Sequence, residues 1–239
     1  MKFIDSHIHL QDYKANNAQQ IVEELKSKDF AKVIAVSSNE EDWEKVAFLA
    51  ENNKDFVIPA FGLHPWQITK VQKNWQQRLT NWIRKFPQAI IGECGLDRLK
   101  APCWEGQTEA FAFHCELAKQ YHRPLNIHVL RAENDFRVML NKMPEKFVLH
   151  SYGGSNELLK QSIDAGGYIS WSAALLKRKN AVELINATPL SRILTESDAP
   201  YQTSYEDIPS FLKYIAEIKK IDRQIVAETI VNNFFEFIK

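Results

Sequence analysis

The sequence has no excess charge of either sign. Its 30 Lys and Arg residues are matched by 30 Asp and Glu residues over 239 positions. Without a global positive charge, a broad salt-driven nucleic-acid coat is excluded. There is no low-complexity segment, no Gly/Ser linker and no sequence repeat. No apolar run approaches the roughly 18 residues of a membrane span. The N-terminal stretch MKFIDSHIHLQDYK also lacks the apolar run of a signal peptide. Cysteine is scarce, and Cys94, Cys103 and Cys115 do not have zinc-ribbon spacing. A chain this long buries a sizeable core without staples, so they read as reduced thiols in a cytoplasmic protein. What is abundant is ordinary: 45% hydrophobic and 25% charged residues, which exclude intrinsic disorder.

A rhythm takes the place of repeats. Short β-rich apolar runs fall at Phe3–Ile8, Val33–Ser37, Val57–Phe61, Ala89–Gly92, Leu125–Val129, Phe147–Leu149, Tyr168–Trp171 and Arg192–Leu194. Helical patterns fill the gaps, with apolar residues three or four apart in Ala18–Ser27, Asp42–Asn52, Asn74–Lys85 and Gln107–Tyr121, and again in 133–142, 156–164, 178–186, 205–219 and 222–238. Eight strands alternating with helices predict a parallel sheet of the α/β class. The length fits a single-domain (β/α)8 TIM barrel over residues 1–239. A doubly wound open sheet competes, but it calls for a Gly-rich loop after the first strand. Here that strand is followed by His-Ile-His-Leu-Gln-Asp.

In a barrel, chemistry is built at the C-terminal ends of the strands. His7 and His9 end the first strand two residues apart, so both face one side. Glu93 follows the fourth apolar run between two glycines, and a carboxylate there needs a cation to be buried. His128 ends strand five, His150 strand six, and Asp198 follows strand eight. Taken singly, each has a bland reading as an ordinary histidine or a structural ion pair. Together, four of the seven histidines and two carboxylates meet at one mouth. Such a donor set suits Zn, Mn, Fe, Ni or Co, with Mg where carboxylate and water dominate. Six ligands exceed the three protein ligands of a catalytic zinc, and two divalent cations sharing a carboxylate account for the number.

The motifs IDSHIHLQ (4–11), FGLHPW (61–66), IGECGLD (91–97), PLNIH (124–128), LHSYGG (149–154) and TESDAPY (195–201) resemble, in order and spacing, the TatD family of metal-dependent hydrolases and deoxyribonucleases. The resemblance implies that His7 and His9 bind one metal, His128 and His150 a second, and Glu93 bridges them. It implies that Asp198 joins the first metal and positions or deprotonates the attacking water. His64 would contact the substrate phosphate, and Glu196 would orient a ligand. The implied reaction is hydrolysis of a phosphodiester at a DNA end, with catalytic Asp198, Glu93 and His64.

Two departures bear on the substrate. Where the family commonly has arginine two residues after the strand-five histidine, this chain has Leu130, with Arg131 one residue later. The loop 201–209 is short and carries Glu206 and Asp207 in place of an Arg-Asn-Glu-Pro type motif. Arg98, Lys100 and 177–179 supply basic side chains, and Trp66, Trp104, Tyr152 and Trp171 supply aromatic faces for a strand end. The alternative to a nuclease is a hydrolase of a small phosphoester, ester, lactone or amide on the same binuclear site. A metal-binding scaffold without turnover is a third reading. No obligate protein partner and no membrane attachment are indicated, and a monomer is expected.

Overall fold

The apolar runs form β1 (Phe3–Ile8), β2 (Phe30–Val36), β3 (Val57–Phe61), β4 (Ile90–Asp97), β5 (Leu125–Leu130), β6 (Phe147–Leu149), β7 (Tyr168–Trp171) and β8 (Ile193–Thr195). The structure is a computed structural model that describes residues 1–13, 17–100 and 102–239. The strands lie in chain order, each parallel to the next. Between them run α1 (Ala18–Ser27), α2 (Glu40–Asn52), α3 (Trp75–Lys85), α4 (Trp104–Tyr121), α5 (Glu133–Met139), α6 (Asn156–Asp164) and α7 (Ala181–Ala187). The helices α8 (Ile208–Lys219) and α9 (Arg223–Phe237) follow β8. This is a single-domain (β/α)8 barrel. Among the described residues, no helix is long and apolar enough to cross a membrane.

Burial follows from the architecture. Every residue of β1, β4 and β7 is buried, as expected for parallel strands covered on both faces. The barrel closes through the segment after β8. The backbone N–H of Asp198 donates to His7 O at 2.9 Å, and His9 N–H donates to Ala199 O at 2.9 Å. The closing bonds therefore flank three of the residues singled out above.

Several boundaries differ from the sequence reading, most by one to three residues, and two of the differences have a clear local reason. The helix expected from Asp42 starts at Glu40, because the Asn39 side chain accepts the Glu41 N–H and caps it. The strand expected to stop at Gly92 runs on to Asp97, with a break in register between Ile91 and Cys94. Gly92 and Gly95 make this course available, with φ of 148° and 146°. A Cβ on Gly92 would stand 2.6 Å from Asn126 O, and one on Gly95 would fall onto the His128 carbonyl. Glu93 thus sits inside a strand, at a point where the ladder is bent.

Candidate metal centre

All six predicted ligands converge at one mouth, and Glu93 stands between them. Its Oε2 lies 3.5 Å from His7 Nε2 and 3.7 Å from His9 Nε2. Those nitrogens are 3.1 Å apart, and Asp198 Oδ1 is 3.7 and 3.3 Å from them. The other oxygen, Oε1, lies 3.2 Å from His128 Nδ1 and 3.0 Å from His150 Nε2, themselves 3.2 Å apart. His64 Nε2 also approaches Oε1, at 3.3 Å. Each carboxylate oxygen therefore serves a separate group of donors. Metal–nitrogen bonds of about 2.0–2.1 Å put two ligands of one ion about 3.0–3.4 Å apart; the His128–His150 group falls within that range, and the His7–His9–Asp198 group spans it and slightly more, at 3.1–3.7 Å.

In His7, His9 and His128 the outer nitrogen settles the tautomer, because a carbonyl or carboxylate oxygen accepts only. His9 Nδ1–H donates to Val36 O at 2.8 Å. His7 Nδ1–H donates to Asn126 Oδ1 at 2.9 Å, and the amide's other end donates to Ser6 O, which fixes its orientation. His128 Nε2–H faces Asp97 Oδ2 at 3.3 Å. His150 Nδ1 faces Glu196 Oε1 at 3.6 Å, and the same oxygen takes the Ser151 N–H at 2.6 Å. In their neutral forms His7, His9 and His128 turn lone pairs inward, onto carboxylate oxygens that carry no proton, and His150 Nε2 faces one of the same oxygens. Such a gathering of electron-rich atoms calls for a cation, and the outer partners are those that orient metal-bound histidines.

His64 is built the other way. Its Nδ1 accepts the Trp66 backbone N–H at 3.1 Å, so its proton is on Nε2, aimed at Glu93. It is a hydrogen-bond donor to the site. Glu196 stands behind His150 as an orienting acceptor, although it lies close enough to His7 and His150 to form a third group of donor type.

Burial alone would raise the Glu93 carboxyl, but His64, His150 and His7 beside it and the His128 hydrogen bond hold it well below the usual range. Burial likewise opposes ionisation of Asp198, and His9, His7 and His150 outweigh it, so its pKa falls. Burial works against a proton on His9, His128 and His150. The facing carboxylates Asp198, Asp97, Glu93 and Glu196 prevail and raise all three, His150 most. In His64 burial wins, and its pKa is lowered. Behind the mouth, Asp5 is pushed by burial up to about 7 despite bonds from Ser197 and His7. Its Oδ2 accepts Ser197 Oγ–H at 2.5 Å, tying β1 to the segment that carries Asp198.

A cleft of about 710 Å³ opens over these residues. Asp12, Asp42, Tyr201, Gln202, Trp66, Leu130 and Lys100 also line it. Arg131, turned off the strand line at φ 55°, lines a separate hollow with Arg98, Glu133, Asn134 and Asp135, so it does not stand in for the arginine absent at Leu130. Of the acidic loop residues, Glu206 pairs with Lys28, and Asp207 caps the turn at Ser204. Arg178, Tyr152 and Trp171 line a smaller hollow adjoining the cleft. Arg98 is held by Asp135 and stacked on Trp104. The three cysteines are free thiols.

Sequence reasoning missed Asn126, Asp97 and the Val36 carbonyl. A signal existed for two of them. Asn126 precedes His128 by two residues, and Asp97 follows Glu93 by four, so period-two alternation puts each on its neighbour's face. The Val36 carbonyl carries no such signal.

The family model described as TatD related DNase matches residues 4–239. The human protein named deoxyribonuclease TATDN3 is 26% identical, with 96% of this chain and 92% of that one covered. A Haemophilus influenzae protein named as a metal-dependent hydrolase is 27% identical, with 88% and 84% covered. The crystal structure of YjjV, a TatD homologue from Escherichia coli, superposes with a TM-score of 0.91 over 98% of this chain and 97% of that one; at 23% identity this bears on the fold alone. The chain belongs to the TatD-related DNase family and is a metal-dependent hydrolase of that type.

Proposed function

We propose that the protein hydrolyses phosphodiester bonds at DNA ends, with two divalent cations bound side by side. The observation that carries this is the division of Glu93, whose two oxygens face two donor groups with coordination-like spacing. His7, His9 and Asp198 would hold one cation, and His128 and His150 the other, with Glu93 common to both. Such cations lower the pKa of water and neutralise charge on a phosphoryl group.

The chain's own residues supply the rest. Asp198 is kept ionised by the imidazoles around it, and its Oδ2 is steadied by Gln202 Nε2–H at 2.6 Å. It accepts the proton of the attacking water. His64 holds Nε2–H at the cleft wall beside Glu93 Oε1 and would turn it to a phosphoryl oxygen bound there. The backbone N–H of Trp66 keeps that proton on the inner nitrogen. Asn126, the Val36 carbonyl and Asp97 keep the His7, His9 and His128 rings in the tautomer that binds, and Glu196 faces the outer nitrogen of His150. The deoxyribonuclease names of similar proteins support DNA as the substrate.

A hydrolase of a small phosphoester or ester on the same centre is the second reading. It is favoured by the four carboxylates, Asp12, Asp42, Glu93 and Asp198, that line the cleft and oppose a polyanion. The test is to load the protein with Mn, Zn, Mg, Fe, Ni or Co, measure the bound metal, and assay single-stranded DNA beside bis(p-nitrophenyl) phosphate and p-nitrophenyl esters. Two ions per chain and chelator-sensitive release of nucleotides are expected. Turnover of the small esters with intact DNA would replace the nuclease reading by the second one.

A further inference from the structure

The turn after β4 builds a cationic platform beside the metal centre. The backbone N–H groups of Leu99 and Lys100 both donate to Asp97 Oδ1, at 2.7 and 2.9 Å. The other carboxylate oxygen takes the indole N–H of Trp66 and faces His128 Nε2–H. One buried carboxylate therefore fixes a ligand ring, an aromatic plate and a turn together. On that plate lies the Lys100 ammonium, 4.1 Å from the centre of the Trp66 ring. The Trp66 ring stands 4.8 Å from the His64 ring and 6.2 Å from that of His128.

Lys100 is the one lysine or arginine among the described residues that line the cleft. Two other basic residues at this end of the barrel are committed elsewhere. Arg98 makes two 2.7 Å bonds to Asp135 and stacks on Trp104, and Arg131 lies in another hollow. The Lys100 ammonium rests on the electron-rich face of an indole, which holds a cation in place without neutralising it. A fixed, uncompensated cation in a cleft otherwise lined by carboxylates marks where an anion is wanted. The cleft, at about 710 Å³, is far larger than one phosphoryl group and has room for a second nucleotide unit.

We propose that Lys100, seated on Trp66, binds a substrate phosphate adjacent to the one that is cleaved. The enzyme would thereby prefer chains with at least two phosphates over isolated phosphodiesters. The proposal rests on the phosphodiesterase reading above and names a specificity residue for it. Lysine suits the role as a point charge on a flexible stem, which accepts a phosphate without demanding bidentate geometry.

Three thymidine dinucleotide probes test it: one unphosphorylated, one with a 5′-terminal phosphate and one with a 3′-terminal phosphate. Each is made with a phosphorothioate linkage, so that calorimetry on the metal-loaded protein reads binding without turnover. The native-linkage versions are assayed for hydrolysis in parallel. One terminal phosphate is expected to tighten binding about tenfold in the wild-type protein. In Lys100→Ala the ratio of the two dissociation constants should fall to about one, and Lys100→Arg should restore most of it. Lys100 is exposed, so neither variant threatens folding. A wild-type protein indifferent to both terminal phosphates overturns the proposal. So does a Lys100→Ala variant that keeps the ratio, even if it binds every probe more weakly. A Lys100-dependent ratio without hydrolysis of any native probe would remove the phosphodiesterase reading and leave an anion site.

Discussion

At the residue scale, histidine is used in two opposite ways within a few ångströms. His7, His9, His128 and His150 each face an oxygen with the outer nitrogen. His64 receives a backbone N–H on its outer nitrogen and so keeps a proton on the inner one. The difference is testable because it separates metal retention from turnover. Replacing Asn126 by Ala frees the His7 ring to rotate and to take the wrong tautomer. Loss of such an outer partner typically lowers metal affinity 10- to 100-fold. Equilibrium dialysis with metal quantification should show that loss for Asn126→Ala. The same measurement on His64→Ala should return wild-type affinity, although its hydrolysis falls by about 100-fold as a hydrogen-bond donor to the transition state is removed. Full metal affinity in Asn126→Ala, or a large loss in His64→Ala, would contradict the assigned roles.

At the scale of elements, helix α4 holds the turn that presents His64. His114 on α4 accepts the Leu63 N–H with Nε2 at 3.2 Å and donates Nδ1–H to Ala110 O at 2.6 Å. It also stacks on Trp75 of α3. Burial lowers its pKa to about 4, against the Ala110 bond. The folded state therefore releases a proton that the unfolded chain holds below about pH 6.5. Its contribution to stability is complete above the unfolded value and is lost as the pH falls toward 4. For these values the loss by pH 5 is about 2 kcal/mol. Urea unfolding of the metal-stripped protein at pH 8 and pH 5, beside His114→Gln, measures it. The variant is expected to be less stable at pH 8, with the gap narrowing by about 2 kcal/mol at pH 5. A constant gap would mean that His114 is not held neutral.

The same elements show what a linear reading reaches. Strands and helices were legible because apolar spacing reports burial, and the six candidate ligands because polar residues recur where those spacings stop. The course of β4 was not legible. Gly92 and Gly95 read as the end of a strand, yet they are what allows the strand to bend and continue to Asp97. The outer partners were hidden for a different reason. Asn126 meets His7, and Asp97 meets His128, only once the barrel has brought β1, β4 and β5 together. Arg131 was equally ambiguous until the left-handed turn after β5 placed it outside the cleft.

For the whole molecule, the zero net charge hides a strongly uneven distribution. Four carboxylates line the cleft with one lysine, and the barrel closes through bonds at His7, His9 and Asp198, the residues nearest to them. Cations bound at Glu93 would therefore hold together the seam between β1 and the segment after β8, and removing them should loosen the fold as well as stop turnover. A ligand at 100 times its dissociation constant adds about 2.7 kcal/mol. For a chain of this size that raises Tm by roughly 5–10 °C. The shift should also depend on pH in a definite direction. His9, His128 and His150 hold protons more tightly than ordinary histidines when no metal is bound. Metal must displace those protons, so its stabilisation grows as the pH rises. Thermal unfolding with and without chelator should give a larger difference at pH 8 than at pH 6. A difference that is absent, or larger at pH 6, would mean that these imidazoles do not bind the metal.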